Sequence, residues 1–168
     1  MGFFEANYPK ILPSSRESHH SSGALLSADL PRLSSRRRTV SNALPLAVMR
    51  AAVDQKGLDV RGLDIATSSD FADFFVIISG TSERHVRGIA DKIQEALVKL
   101  GERAQGVNGY EKGEWILIDY GDLIAHVFYE PKRQYYGLDE LWGKRSTVIE
   151  PGPELVHNMR MLRTGIAW

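Results

Sequence analysis

The stretch Phe74-Phe75-Val76-Ile77-Ile78-Ser79-Gly80-Thr81-Ser82-Glu83-Arg84-His85-Val86 changes periodicity halfway along, and that change decides the fold. From Phe74 to Ile78 every position is apolar, which predicts an inner strand of a sheet covered on both faces. Thr81 or Ser82 can then cap a helix, and Val86, Ile89, Ala90, Ile93, Leu97 and Leu100 recur at helical spacing until Gly101 stops the pattern. A buried strand feeding an amphipathic helix belongs to an α/β domain.

Working outward, Trp115-Ile116-Leu117-Ile118-Asp119 and Leu123-Ile124-Ala125-His126-Val127-Phe128-Tyr129 predict two strands joined by a tight turn at Tyr120-Gly121-Asp122. A weaker strand is expected over 103–107, and another at Gly62-Leu63-Asp64-Ile65-Ala66. Ahead of these, Asn42 or Ser41 can cap a helix with Pro45 in its first turn and a stripe of Leu46, Met49 and Val53. Lys56-Gly57 would give it a cationic last turn and a left-handed stop. A last helix is expected over 132–142, with Leu138, Leu141 and Trp142 on one face. The sum is a single α/β domain: a mixed sheet of about five strands with helices packed on it.

Residues 1–42 read as a disordered extension, because Ser is frequent, prolines fall at Pro9, Pro13 and Pro31, and no periodicity lasts. Residues 43–142 form the folded domain. Residues 143–168 are a C-terminal tail in which Leu155, Met159 and Leu162, after the break Pro151-Gly152-Pro153, suit a short helix. The extension reads as dispensable or as the product of an upstream start codon. Its Ser- and Arg-rich, acid-poor composition also fits a mitochondrial or plastid transit peptide, the alternative to a bacterial cytoplasm.

Composition narrows the function. Cysteine is absent, so disulfides, thiolate metal sites and cysteine nucleophiles are excluded. No apolar run reaches the roughly 20 residues of a membrane span. The formal charge of zero conceals a basic extension, with six Lys/Arg against three acids, and an acidic remainder with 15 against 18. A mildly acidic domain suits a basic protein partner better than a nucleic-acid backbone.

Two acidic pairs, Asp70 with Asp73 and Asp119 with Asp122, raise a magnesium-dependent nucleotidyltransferase as one reading. Neither pair has the alternating spacing that puts two carboxylates on one strand face, and Asp is a favoured turn residue. Ser79-Gly80-Thr81-Ser82 lacks the glycine spacing and lysine of a nucleotide loop and reads as a helix cap. His85 and His126 read as structural, His126 hydrogen-bonded inside the sheet. No metal ligand set, cofactor or catalytic residue is expected. A cluster of rings does stand out: Trp115, Tyr120, Tyr135, Tyr136 and Trp142, beside Lys132, Arg133, Asp139 and Glu140. Rings mixed with both charge signs are the makeup of a protein-binding patch.

Three blocks together resemble the Iojap-like ribosomal silencing factors. They are the stretch from Asp73 to Val86, the stretch from Trp115 to Phe128, and Arg133-Gln134-Tyr135-Tyr136-Gly137-Leu138-Asp139-Glu140-Leu141-Trp142. Asp139 stands where the family usually has Glu, and Ala125 where it has Val. The resemblance implies a nucleotidyltransferase-like topology without catalytic carboxylates, hence no enzyme. It implies docking on the large ribosomal subunit through large-subunit ribosomal protein fourteen, sterically blocking subunit association and repressing translation under nutrient limitation. It carries contacts to Trp115, Tyr120 and Tyr136; Asp119, Arg133 and Glu140 are added by proximity. A ribosome-assembly factor that binds RNA remains open beside the enzyme, and a sheet edge with an aromatic patch would support a homodimer.

Overall fold

A computed structural model describes residues 42–164, with side chains as far as Leu162; the expected disorder or transit peptide in residues 1–41 lies outside the described residues. Six strands form one sheet: β1 (Leu58–Asp64), β2 (Phe74–Gly80), β3 (Gly106–Asn108), β4 (Trp115–Asp119), β5 (Leu123–Tyr129) and β6 (Thr147–Ile149). Their spatial order is β3-β4-β5-β2-β1-β6. β2 and β5 pair in parallel from Phe74↔Leu123 to Gly80↔Tyr129, and the other pairings are antiparallel. The sheet is therefore mixed, and its most buried strands are the central pair.

Two-residue alternation sends side chains to opposite faces. On one face Phe74, Val76, Ile78, Leu123, Ala125, Val127, Ile116 and Ile118 join a core completed by α1 (Ala43–Asp54) and α2 (Glu83–Lys99). α5 (Pro153–Thr164) adds Leu155 to the same core. On the other face Phe75, His126, Phe128 and Trp115 meet α3 (Glu130–Tyr136) and α4 (Leu138–Gly143).

Ser82 caps α2 as expected, its hydroxyl accepting the His85 N–H at 3.1 Å. His85 is structural: its Nδ1 accepts the Thr81 N–H at 3.1 Å, and its Nε2 lies 2.8 Å from the Gln55 carbonyl oxygen. The ring thus ties the start of α2 to the end of α1. Asn42 stands at the N-cap of α1 without a side-chain cap bond, and the left-handed residue after that helix is Lys56 (φ 61°) rather than Gly57. Gly57 is needed instead for close approach, its N–H reaching the Ala52 carbonyl at 2.7 Å.

Other boundaries moved as well. β1 begins at Leu58, well before the expected Gly62, because a bulge between Leu58 and Arg61 interrupts its alternation. The weak strand expected over 103–107 is β3, at Gly106–Asn108. The single helix expected over 132–142 is two, broken where Gly137 takes a left-handed conformation (φ 60°). Leu141 consequently leaves the core-facing side and is 51% exposed, while Leu138 is buried. Within the segment expected to be a tail, β6 adds a sixth strand against β1, and the short helix is α5.

Candidate functional site

The aromatic cluster resolves into a stack that rises from the sheet to the surface. His126, 3% exposed, lies edge-on to Phe75 at 4.7 Å between ring centres. Its Nδ1 accepts the indole Nε1–H of Trp115 at 3.3 Å. Trp115 stacks on Phe128 at 4.9 Å and meets Tyr136 at 4.6 Å. Tyr135 stands against Tyr136 at 5.1 Å and is 68% exposed. Trp142 closes the neighbouring part of the face, edge-on to Phe75 and Phe71. Because Trp115 is only 9% exposed, the rings that meet solvent are those of α3, and in α4 Leu141 and Glu140 are exposed as well.

Polar contacts hold α3 and α4 in place. Arg133 donates two hydrogen bonds of 2.8 Å to the Asp139 carboxylate, spanning the Gly137 break. It also donates to the Asp59 carbonyl at 2.7 Å and to the Ser79 hydroxyl at 3.0 Å, while Arg61 approaches Asp139 from β1 at 3.5 Å. Burial alone would raise the Asp139 carboxyl, but the Arg133 hydrogen bonds and charge, with Arg61 behind them, outweigh it and hold that carboxyl below its usual range. A cavity of about 910 Å³ opens beyond Arg133, between β1, α3 and α5.

The structure brings Trp115 and Tyr136 together on this face, whereas Glu140 lines the cavity beyond Arg133. Arg133 is nearby, yet its guanidinium is engaged in fixing α3 to α4 and to the sheet. Asp119 shares the Trp115 side of β4 at the far end of the strand, and its carboxylate accepts the Gly121 N–H at 2.7 Å. Tyr120 does not join the face. It lies five positions after Trp115, an odd offset, so it points into the α1/α2 core at 7% exposure. Burial pushes its hydroxyl pKa up to about 12. Tyr135 and Leu141, which the sequence reading did not place among the contacts, are the most exposed apolar groups of α3 and α4. Their signal was the glycine between the two helices.

Of the candidate acidic residues, one carboxylate is seen serving a turn and another residue acts through its backbone. Asp119 closes the β4–β5 turn, and the carbonyl of Asp122 accepts the backbone N–H groups of Asp73 and Phe74. Among the described residues no group of three or more His, Asp or Glu is arranged to hold a metal ion, and no helix is long and apolar enough to cross a membrane.

Buried and neutral, His126 has its pKa lowered from 6.5 to about 3 by desolvation, with the Asp139 charge pulling weakly upward. Its folded pKa lies below its unfolded one. The stability it carries is therefore full above about 6.5 and is lost as pH falls from there toward about 3. Denaturant unfolding at pH 7 and pH 5 should show a loss approaching ~1.4 kcal/mol per pH unit from this ring. His126→Phe should remove that component; an unchanged acid slope in the variant would refute the assignment.

The chain is thus a helix-covered mixed sheet with rings gathered on one face and an Asp119 carboxylate that closes a turn. The family model described as ribosomal silencing factor during starvation matches residues 39–163, and the chain belongs to that family. The match takes in β6 and α5. Ribosomal silencing factor RsfS of Halalkalibacterium halodurans is 41% identical over 105 residues, spanning 62% of this chain and 89% of that protein. A mitochondrial Iojap-related protein of Arabidopsis thaliana is 32% identical over 130 residues, spanning 71% of this chain and 68% of its own. Among solved structures, a Chromobacterium violaceum protein superposes with a TM-score of 0.60 at 32% identity, covering 61% of this chain and 85% of that one. The family's description makes it a ribosomal silencing factor, and the α/β fold is shared with the solved Chromobacterium violaceum structure.

Proposed function

We propose that the face built on β4, α3 and α4 docks the protein on the large ribosomal subunit through large-subunit ribosomal protein fourteen. Docked there, it occupies the surface that the small subunit must reach, and translation falls when nutrients are limiting. Tyr135, Tyr136, Leu141 and Glu140 make the contact; Trp115 supports Tyr136, and Arg133 with Asp139 sets the angle between the two helices. The observation that carries this reading is the exposed Tyr135 and half-buried Tyr136 standing on a buried aromatic stack. Rigid aromatic anchors lose little conformational entropy on binding and dominate interface energies. Steric exclusion needs no chemical step.

The excess of acids over bases after Asn42 favours a basic partner surface. The compartment follows the ribosome served: the cytoplasm of a bacterium, or an organelle of bacterial type.

Sucrose-gradient sedimentation tests the reading. Added protein should travel with free large subunits and reduce the joined-ribosome peak. Absence from the large-subunit fractions, or unhindered joining at saturating amounts, would refute it. Turnover of nucleotide with magnesium, abolished by Asp119→Asn, would favour the enzymatic alternative instead.

A further inference from the structure

The buried ring of His126 carries a feature that packing does not explain. An indole N–H can only donate, so Nδ1 of His126 must be the acceptor in the 3.3 Å contact with Trp115, and the ring proton sits on Nε2. That Nε2 is buried and has no hydrogen-bond partner among the described residues. An unsatisfied buried donor is unfavourable, and a phenylalanine would fill the same volume without it. The contact that only histidine makes here is the one to the indole.

We propose that His126 is a positioning residue for the docking face: its Nδ1 holds the Trp115 indole in the orientation that supports Tyr136 at the surface. The inference rests on the docking reading above. The geometry is a relay from the sheet outward. The hydrogen bond fixes the rotation of the indole about its side-chain axis. Phe128 closes one side of the ring at 4.9 Å, and Tyr136 rests against it at 4.6 Å. Without the acceptor, the indole loses the hydrogen bond that fixes its rotation on the His126 side, and the ring can turn. Any turn of a ring this size moves the support from beneath Tyr136, because close-packed interiors do not deform smoothly. Burial keeps His126 neutral, with its pKa near 3, so the acceptor persists at every physiological pH.

Two substitutions separate this role from simple packing. His126→Phe keeps the ring contacts and deletes the acceptor; His126→Asn shrinks the side chain and keeps an acceptor near the Nδ1 position. The expected result for the full-length protein is that His126→Phe binds large subunits about 10-fold more weakly, the size of one lost hydrogen bond. His126→Asn recovers most of that loss. In the Trp115→Phe background, adding His126→Phe causes no further loss, since the two residues act as one unit.

A spectroscopic readout stands apart from binding. With 15N-labelled tryptophan, and the indole signals assigned through Trp142→Phe and Trp168→Phe, the Trp115 indole proton should exchange with solvent about 10-fold faster in His126→Phe. Unaltered exchange, or His126→Phe binding like wild type while Trp115→Phe is weak, overturns the positioning role. His126→Asn as weak as His126→Phe, with its indole proton equally exposed, does the same. Trp115→Phe binding as tightly as wild type overturns the docking face itself, which is a different failure.

Discussion

Tyr136→Ala lowers the affinity for large ribosomal subunits by about 2 kcal/mol, roughly 30-fold, while the protein stays folded. Tyr136 lies at the end of α3 and is half-buried, with Trp115 beneath it and Tyr135 beside it. Removing its ring takes away contact area at the partner and leaves the exposed Tyr135 without the neighbour that orients it. The fold tolerates the loss because α3 buries none of its residues fully, so no closed cavity forms. Tyr110→Ala is the matched control. That ring is 37% exposed and hydrogen-bonds Asp91 of α2, on the opposite side of the sheet. Equilibrium binding of labelled protein to purified large subunits decides the matter. Equal affinities for Tyr136→Ala and wild type, or an equal loss for Tyr110→Ala, would place the docking face elsewhere.

Gly109→Ala should be the more damaging change to the fold. Gly109 holds φ at 78°, where an L side chain costs about 1–2 kcal/mol. A Cβ there would also overlap the backbone carbonyl of Trp115, the first residue of β4. A backbone atom inside a sheet cannot move aside as a flexible side chain can. The expected loss is about 3 kcal/mol or more, with the melting temperature lower by roughly 10 °C. Because β4 starts at the indole that supports Tyr136, ribosome binding should fall with it. Gly152→Ala, where an added Cβ meets nothing within 4 Å, should leave both properties unchanged. A Gly109→Ala protein that melts with wild type would show that the β3–β4 turn relaxes at little cost.

The central strands and α2 were legible because each rests on one local signal: an unbroken apolar run, a strict helical repeat, a cap and a glycine stop. β6 was not, since Thr147–Ile149 is three residues long and exists only by pairing with β1. The Gly137 break was visible as a residue but not as a conformation. Arg133 fixes the break by reaching Asp139, Asp59 and Ser79, and long-range contacts of this kind have no local trace. The site was half legible. Rings near one another in sequence suggested one patch, yet counting in twos along β4 would have put Tyr120 opposite Trp115. Exposure of Tyr135 and burial of Trp115 needed the helices in place.

The side-by-side pairing of β2 with β5 has a consequence for synthesis. Phe74 must wait for Leu123, so the middle of the sheet cannot close until about three quarters of the chain has left the ribosome. Until then the apolar run 74–78 of β2 lacks its main neighbour, and the emerging polypeptide is exposed to aggregation and to chaperones. The proposed docking face, built on β4, α3 and α4, can take shape only after β5 has joined the sheet.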